Sequence, residues 1–281
     1  MKKALTETLS AALTKEGHRA KSAVPPCRFR ADFTREERKI MDHAIVLENL
    51  TKTYSNKRGI TDISLEIGRG EIFGFLGPNG AGKTTAMKIM TGLSRADRGR
   101  VWLNGFSVTE DFERAMSGVG CMIESVEPFS YMTAAENMRL CGRYYDAVDE
   151  GRIDDCLDMV GLARYKNEKI KNYSLGMRQR LGIALALLSH PSIMILDEPL
   201  NGLDVEGMVE MRHLIQRLSE EEGTTFFISS HLIHDVELTC NTIGIVYDGR
   251  LRSVRKTADV IREYATLENY YLSEVDTSEG A

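Results

Sequence analysis

The stretch GPNGAGKTT, residues 77–85, carries the spacing G-x-x-x-x-G-K-[ST] from Gly77 through Gly82, Lys83 and Thr84. Glycines at 77, 80 and 82 open backbone turns that are closed to residues with a β-carbon, so successive N–H groups can converge on a polyphosphate. Lys83 adds a point charge. A helix starting near Thr84 would present the positive end of its dipole to the same anion, and the Thr84 hydroxyl is suited to Mg²⁺. Gly77, Asn79, Gly80, Ala81, Gly82, Lys83, Thr84 and Thr85 are therefore the candidate phosphate contacts. A Gly-rich strand-to-helix turn with a surface lysine would read the same way, so the rest of the chain has to decide. The apolar run SIMILDEP, residues 192–199, delivers two carboxylates at a strand end, the edge where α/β sheets bind ligands. Asp197 is placed to hold a Mg²⁺ shell, and Glu198 to polarise the water that attacks a terminal phosphate. Beside a phosphate loop, this outweighs a solvated acidic turn.

These groups need a framework. AIVLENLTKTY (44–54) and ITDISLEIGRGEIFGFL (60–76) read as short strands leading into the loop, followed by a helix over 83–92 and the strand-like RVWLNG. From TAAENMRLCGRYY to IDDCLDMVGL the period is helical, with Thr133 and Glu136 spaced as a capping box. The β pattern returns in IMILDEP, TTFFISSH and TIGIVYDG. Alternating strands and helices predict a parallel core sheet covered by helices, with a helical subdomain at about 124–180 inserted between sheet segments. In YSLGMRQRLGIALALL (173–188), Ser174 stands where a helix would begin. With Gly176 it makes either a second anion site at a helix N-terminus or a plain N-cap.

The 281 residues carry a net charge of −5, which argues against a mainly electrostatic nucleic-acid binder. Residues 1–41 hold ten Lys or Arg against five Asp or Glu, and the remainder carries a net −10. Residues 1–41 show no useful periodicity and read as a poorly ordered N-terminal extension, with Met41 opening the first patterned segment. No apolar run approaches 18 residues, so nothing in the sequence spans a bilayer. Five scattered cysteines without C-x-x-C spacing suit reduced thiols in a cytoplasmic protein. Residues 251–281 read as a short C-terminal extension to a domain over 42–250.

Ser174, Leu175, Gly176 and the trailing Gln179-Arg180 resemble the signature loop of ABC-type ATPases, whose usual form is Leu-Ser-Gly-Gly-Gln. The resemblance covers roughly residues 44–250 and implies a P-loop NTPase core with a mostly parallel sheet, an antiparallel β subdomain and an inserted helical subdomain. It further implies ATP and Mg²⁺ as ligands and roles for other positions. Tyr54 in LTKTYSN matches the aromatic that stacks on adenine, against the plainer reading of an exposed strand-end tyrosine. NGLD (201–204) resembles the D-loop, with Asp204 contacting the opposite subunit's phosphate loop, and His231 in ISSHLIHDVE matches the switch histidine that touches the γ-phosphate. The i, i+3 spacing of His231 and His234 is that of a metal pair, but two ligands make a poor site.

Two departures stand out. Glu124 occupies the place of the family's glutamine, which touches Mg²⁺ and water, and the signature begins with Tyr173 and has Met177 in place of its glutamine. A carboxylate at 124 can still ligate Mg²⁺ through oxygen but brings charge into an anionic site. Both departures, with the YSLGM-x-QR form, resemble ATPase subunits of bacterial exporters for bacitracin and lantibiotic-type peptides. The resemblance thus implies a motor subunit that dimerises around two ATP and drives a separate integral-membrane permease docked near Glu124, exporting a peptide antibiotic or related amphiphile. Such a subunit is cytoplasmic and peripheral on the inner face of the cell membrane. The rivals are a soluble ABC ATPase of translation or DNA repair and a nucleotide-gated regulator. The repair type needs a long coiled coil between Lys83 and Ser174, where no sustained heptads occur; the ribosome type carries two cassettes, and this chain has one phosphate loop.

Overall fold

The fold is taken from a computed structural model, in which residues 40–56, 58–124, 127–145 and 147–276 are described. The expected N-terminal extension falls outside them except for its last two residues. Of these, Ile40 is buried, in a small cluster with Val46 and Trp102.

Two sheets organise the chain. Strands β1 (His43–Thr53), β2 (Gly59–Gly68), β4 (Arg98–Leu103) and β5 (Phe106–Ser107) form an antiparallel sheet in the order β2-β1-β4-β5. The second sheet runs β10-β9-β3-β8-β7-β6, from β3 (Ile72–Leu76), β6 (Val119–Met122), β7 (Ile193–Asp197), β8 (Thr225–Ser230), β9 (Thr242–Tyr247) and β10 (Arg250–Lys256). All its pairings are parallel except β9 with β10. The mostly parallel core and the helices between β6 and β7 are what the sequence pattern predicts, and the antiparallel sheet is what the family resemblance implies.

The central strands are apolar on both faces because both are covered, as parallel sheets require. On β7, Ile193 and Ile195 point into the core shared with the antiparallel sheet, while Met194 and Leu196 point into the core under the helices. On β8, Phe227 faces the first core, and Phe226 and Ile228 face the second. Phe73, Phe75 and Phe227 form an aromatic knot with centroids 5.3–6.5 Å apart. Each buried side chain of this size contributes roughly 2–3 kcal/mol.

The helices are α1 (Lys83–Met90), α2 (Phe112–Met116), α3 (Ala134–Gly142), α4 (Glu150–Met159), α5 (Leu175–Leu187), α6 (Val205–Glu222), α7 (Ile233–Thr239), α8 (Thr257–Tyr264) and α9 (Leu267–Asp276). Their starts follow local chemistry. Thr133 and Glu136 make the reciprocal capping box of α3, and Asp149, Ser174 and Asp204 cap α4, α5 and α6 with their side chains. The helical-looking sequence after 250 folds as β10, α8 and α9. Val260, Leu267 and Tyr270 are buried in the helix-side core, so this segment packs as part of the same body.

Candidate nucleotide site

The phosphate loop joins β3 to α1. Gly82, just before α1, sits at φ 101° in the left-handed region, and a β-carbon there would lie 2.4 Å from Ile60 Cγ2. A β-carbon on Gly77 would lie 2.2 Å from the Val246 carbonyl oxygen. Both positions therefore demand glycine, one for its dihedral and one for the closeness of β9. Unlike α3, α4, α5 and α6, α1 has no side-chain cap. Its first amides are left open toward the loop, which suits an anion.

Around this loop four side-chain pairs converge on Asp197 and Glu198. Thr84 Oγ1 donates to Asp197 Oδ2 at 2.9 Å, and the Ser229 hydroxyl donates to the other Asp197 oxygen. Lys83 Nζ donates to the Gly77 and Pro78 carbonyls at 2.7 and 3.3 Å and lies 3.6 Å from Glu198 Oε1. His231 Nδ1 lies 2.9 Å from the same Glu198 oxygen. Burial pushes the Lys83 pKa down, opposed by Glu198 and then Asp197. Glu198 is itself held in the left-handed region at φ 49°. Its amide donates to Ser229 Oγ and to the Ser229 carbonyl, at 3.1 and 3.2 Å. A non-glycine residue kept in so sparse a conformation beside a phosphate loop points to function.

A groove of about 340 Å³ runs past the loop, lined by Tyr54, Asn56, Arg58, Gly59, Pro78, Asn79, Gly80, Gly82, Lys83, Thr84, Thr85, Asp197 and Glu198. Tyr54 is 39% exposed, with Lys52 Nζ 5.7 Å from its ring centroid. The groove thus gathers most of the sequence-predicted residues from three separate segments. Asn56, Arg58 and Ser229 were missed. The first two lie in a loop without pattern, and the only signal of Ser229 is a polar residue inside an apolar strand.

Other expected residues lie elsewhere. Ser174 Oγ accepts the Met177 amide at 3.2 Å, and Asp204 Oδ1 accepts the Gly207 amide at 2.9 Å, so both cap their helices. Gly176 lies against the Gly202–Leu203 backbone. None of the three lines the groove of its own chain. Glu124 is exposed, at φ 62°, and its carboxylate lies 2.5 Å from Lys88 Nζ, one turn along α1 from Thr84. Its charge is therefore spent on Lys88 in this structure and not on the Thr84–Asp197 pair. A second groove, of about 550 Å³, runs between Phe129, Tyr131, Ile170, Leu175 and Gln179, with Tyr131 68% exposed.

An open parallel sheet that delivers a phosphate loop, a Thr–Asp pair and a glutamate at its strand ends defines a P-loop nucleotide hydrolase. The family model described as ABC transporter matches residues 60–201. The chain is 42% identical over 212 residues to the bacitracin transport ATP-binding protein of Enterococcus faecalis, spanning 75% of this chain and 69% of that one. It is 37% identical over 205 residues to the lantibiotic transport ATP-binding protein of Streptococcus pyogenes, spanning 73% of this chain and 87% of that one. Among solved structures, a dimeric ATP-binding cassette in a post-hydrolysis state with ADP and Pi superposes with a TM-score of 0.69 at 28% identity, covering 76% of this chain and 98% of that one. The chain belongs to the ABC transporter family as an ATP-binding, ATP-hydrolysing subunit.

Proposed function

We propose that this subunit holds ATP with Mg²⁺ at the α1 loop, pairs with a second ATPase subunit around two nucleotides, and drives an integral-membrane permease that exports a peptide antibiotic or related amphiphile. The observation that carries the catalytic part is the meeting of Lys83, Glu198 and His231 within 3.6 Å beside the open N-terminus of α1. Tyr54 stacks on adenine. The loop amides from Gly77 to Thr85 surround the phosphates, with Lys83 leaving its carbonyl partners for the γ-phosphate. The Thr84 hydroxyl and Asp197 carboxylate are hard oxygen donors that fit Mg²⁺. When bound, that ion neutralises charge developing on the phosphate oxygens. Glu198 takes a proton from the attacking water, and His231 orients the Glu198 carboxylate and reaches the γ-phosphate. Glu124 joins the metal shell only if it exchanges Lys88 for the cation.

Ser174, Gly176 and Asp204 lie outside their own chain's groove and serve a partner copy, so two ATP are enclosed between two chains. No described helix is long and apolar enough to cross a membrane. The 550 Å³ groove with its exposed Phe129 and Tyr131 offers an amphipathic permease segment an aromatic seat. The subunit thereby sits on the cytoplasmic face of the membrane. The bacitracin and lantibiotic transport relatives support this choice of substrate class. The test is a pull-down of the tagged chain from detergent-solubilised membranes of its native host. Stoichiometric recovery of a multi-span protein, whose co-expression protects cells from a peptide antibiotic, is the expected result; a purely soluble set of partners refutes the transport reading.

A further inference from the structure

Gln179 lies on α5, the helix whose N-terminus carries the signature residues, yet its side chain reaches into the other half of the site. Its Nε2 donates to the backbone carbonyl of Glu198 at 3.0 Å. That carbonyl also accepts the Asn201 amide at 3.1 Å, so both of its lone-pair directions are used. The next residue is Pro199, which has no N–H to offer. The two ends of Glu198 are therefore held from different elements. β8 fixes its amide through Ser229 Oγ and the Ser229 carbonyl, and α5 together with the turn at Asn201 fixes its carbonyl. Glu198 rests at φ 49°, where a non-glycine backbone persists only if its surroundings hold it. A shift of α5 that draws Gln179 away frees the Glu198 peptide to turn, and with it the carboxylate that now lies 2.9 Å from His231 and 3.6 Å from Lys83.

We infer that Gln179 is a positioning residue that joins the two composite ATP sites through a single chain. The inference rests on the proposed pairing of subunits. In that arrangement Ser174 and Gly176, at the start of α5, face the nucleotide bound by the partner copy, while Gln179, one turn further on, steadies the general base beside this chain's own nucleotide. Engagement of the signature end by one ATP is then felt at Glu198 of the other site, along a path one turn of helix and one hydrogen bond long. Arg180 gives α5 a firm seat for this movement: it donates to the Val160 carbonyl at 2.9 Å and pairs with Glu210 on α6 at 2.7 Å.

The test is steady-state ATP hydrolysis by the purified full chain carrying Gln179→Met, Gln179→Glu or Gln179→Lys, with thermal melting of each variant. Met and Glu remove the donor at nearly constant length, and Lys restores an N–H donor. The expected result is a fall in kcat of about 3- to 10-fold for Met and Glu, as for loss of one hydrogen bond at the reacting group. Their KM for ATP stays within about 2-fold, their Hill coefficient moves toward 1, and Lys recovers most of the rate. Lys failing as badly as Met, KM rising in step with the loss of kcat, or a Hill coefficient equal to wild type in all variants overturns the inference. Glu198→Gln, run alongside, separates the failures. Turnover that does not depend on Glu198 removes the reading of the site and the inference with it, whereas Glu198-dependent turnover untouched by Gln179→Met removes only the link.

Discussion

Glu198→Gln is the substitution that separates chemistry from binding in this site. The amide matches the carboxylate in shape, and the contacts that hold the φ 49° backbone run through the Glu198 amide and carbonyl, so the fold around residue 198 is retained. What disappears is a base and a charge. Positioned general bases contribute about 10²- to 10⁴-fold, or roughly 3–5 kcal/mol of barrier, and kcat is expected to fall by that factor. The charge acts in the opposite direction on affinity. Lys83 and Glu198 stand 3.6 Å apart with side chains 6% and 19% exposed. At an effective dielectric constant near 20, the attraction at such a distance is about 4–5 kcal/mol before the cost of burial is set against it. The carboxylate thus competes with the γ-phosphate for Lys83 and repels it directly. ATP affinity in the Gln variant is accordingly expected to equal or exceed that of wild type. Phosphate release under saturating ATP gives the first quantity, and equilibrium titration with a fluorescent ATP analogue the second. A loss of kcat below 10-fold, or a fall in affinity matching the fall in rate, refutes the assignment of Glu198 as the base.

Four further outcomes are expected. Burial lowers the Lys83 pKa in the free protein from the ordinary 10.5, whereas bound phosphates favour its charged form, so nucleotide binding takes up a proton when the pH lies between the lowered value and 10.5. In that window the unfolded chain binds more protons than the nucleotide-free folded one, and the stability of the free protein rises with pH while ATP affinity falls; calorimetry in two buffers of different ionisation enthalpy reads the proton, and no uptake at any alkaline pH refutes it. Gly82→Ala forces a β-carbon to 2.4 Å from Ile60 Cγ2 at φ 101°, and a loss of roughly 2–3 kcal/mol with collapse of ATP binding is expected in melting and titration experiments. Phe227→Ala empties the aromatic knot and should cost about 3–5 kcal/mol in denaturant unfolding, more than any substitution at exposed Tyr131. Glu124→Gln breaks an exposed pair with Lys88 and should change stability by less than about 1 kcal/mol, so any large change in hydrolysis rate would report a role of the carboxylate with nucleotide bound.

Much of the site was legible because its chemistry is local. Gly77 to Thr85 form one continuous loop, and their glycines are dictated by dihedral angle and by close approach, constraints written in single residues. Asp197 and Glu198 could be read from an apolar strand that ends in two acids, since a buried strand has few reasons to do so. The caps at Thr133 and Ser174 are likewise short-range hydrogen bonds with sequence signatures, whereas the cap at Asp204 came to light only in the structure. Arg58 escaped because nothing in its own neighbourhood marks it, and Ser229 because a single hydroxyl within an apolar strand does not say what it faces. Glu124 shows the same limit in reverse. Its position along the chain suggests a metal ligand, while its contact with Lys88 depends on how β6 is set beside α1.

The sequence by itself determined the phosphate loop, the alternation of strands and helices, and the family whose signature Ser174 to Arg180 carry, since each is a pattern of residue types over a few turns. Only the tertiary structure decided which of these patterns meet. It joined β8 to β7, so that Ser229 and His231 meet Asp197 and Glu198, and it placed α5 against the Glu198 carbonyl through Gln179. It also folded residues 250–276 as β10, α8 and α9 with Val260, Leu267 and Tyr270 buried in the common core, where the sequence alone read a short extension. The physical reason is that such pairings are fixed by packing across a sheet buried on both faces, where the neighbour of a side chain is chosen by strand order and not by distance along the chain.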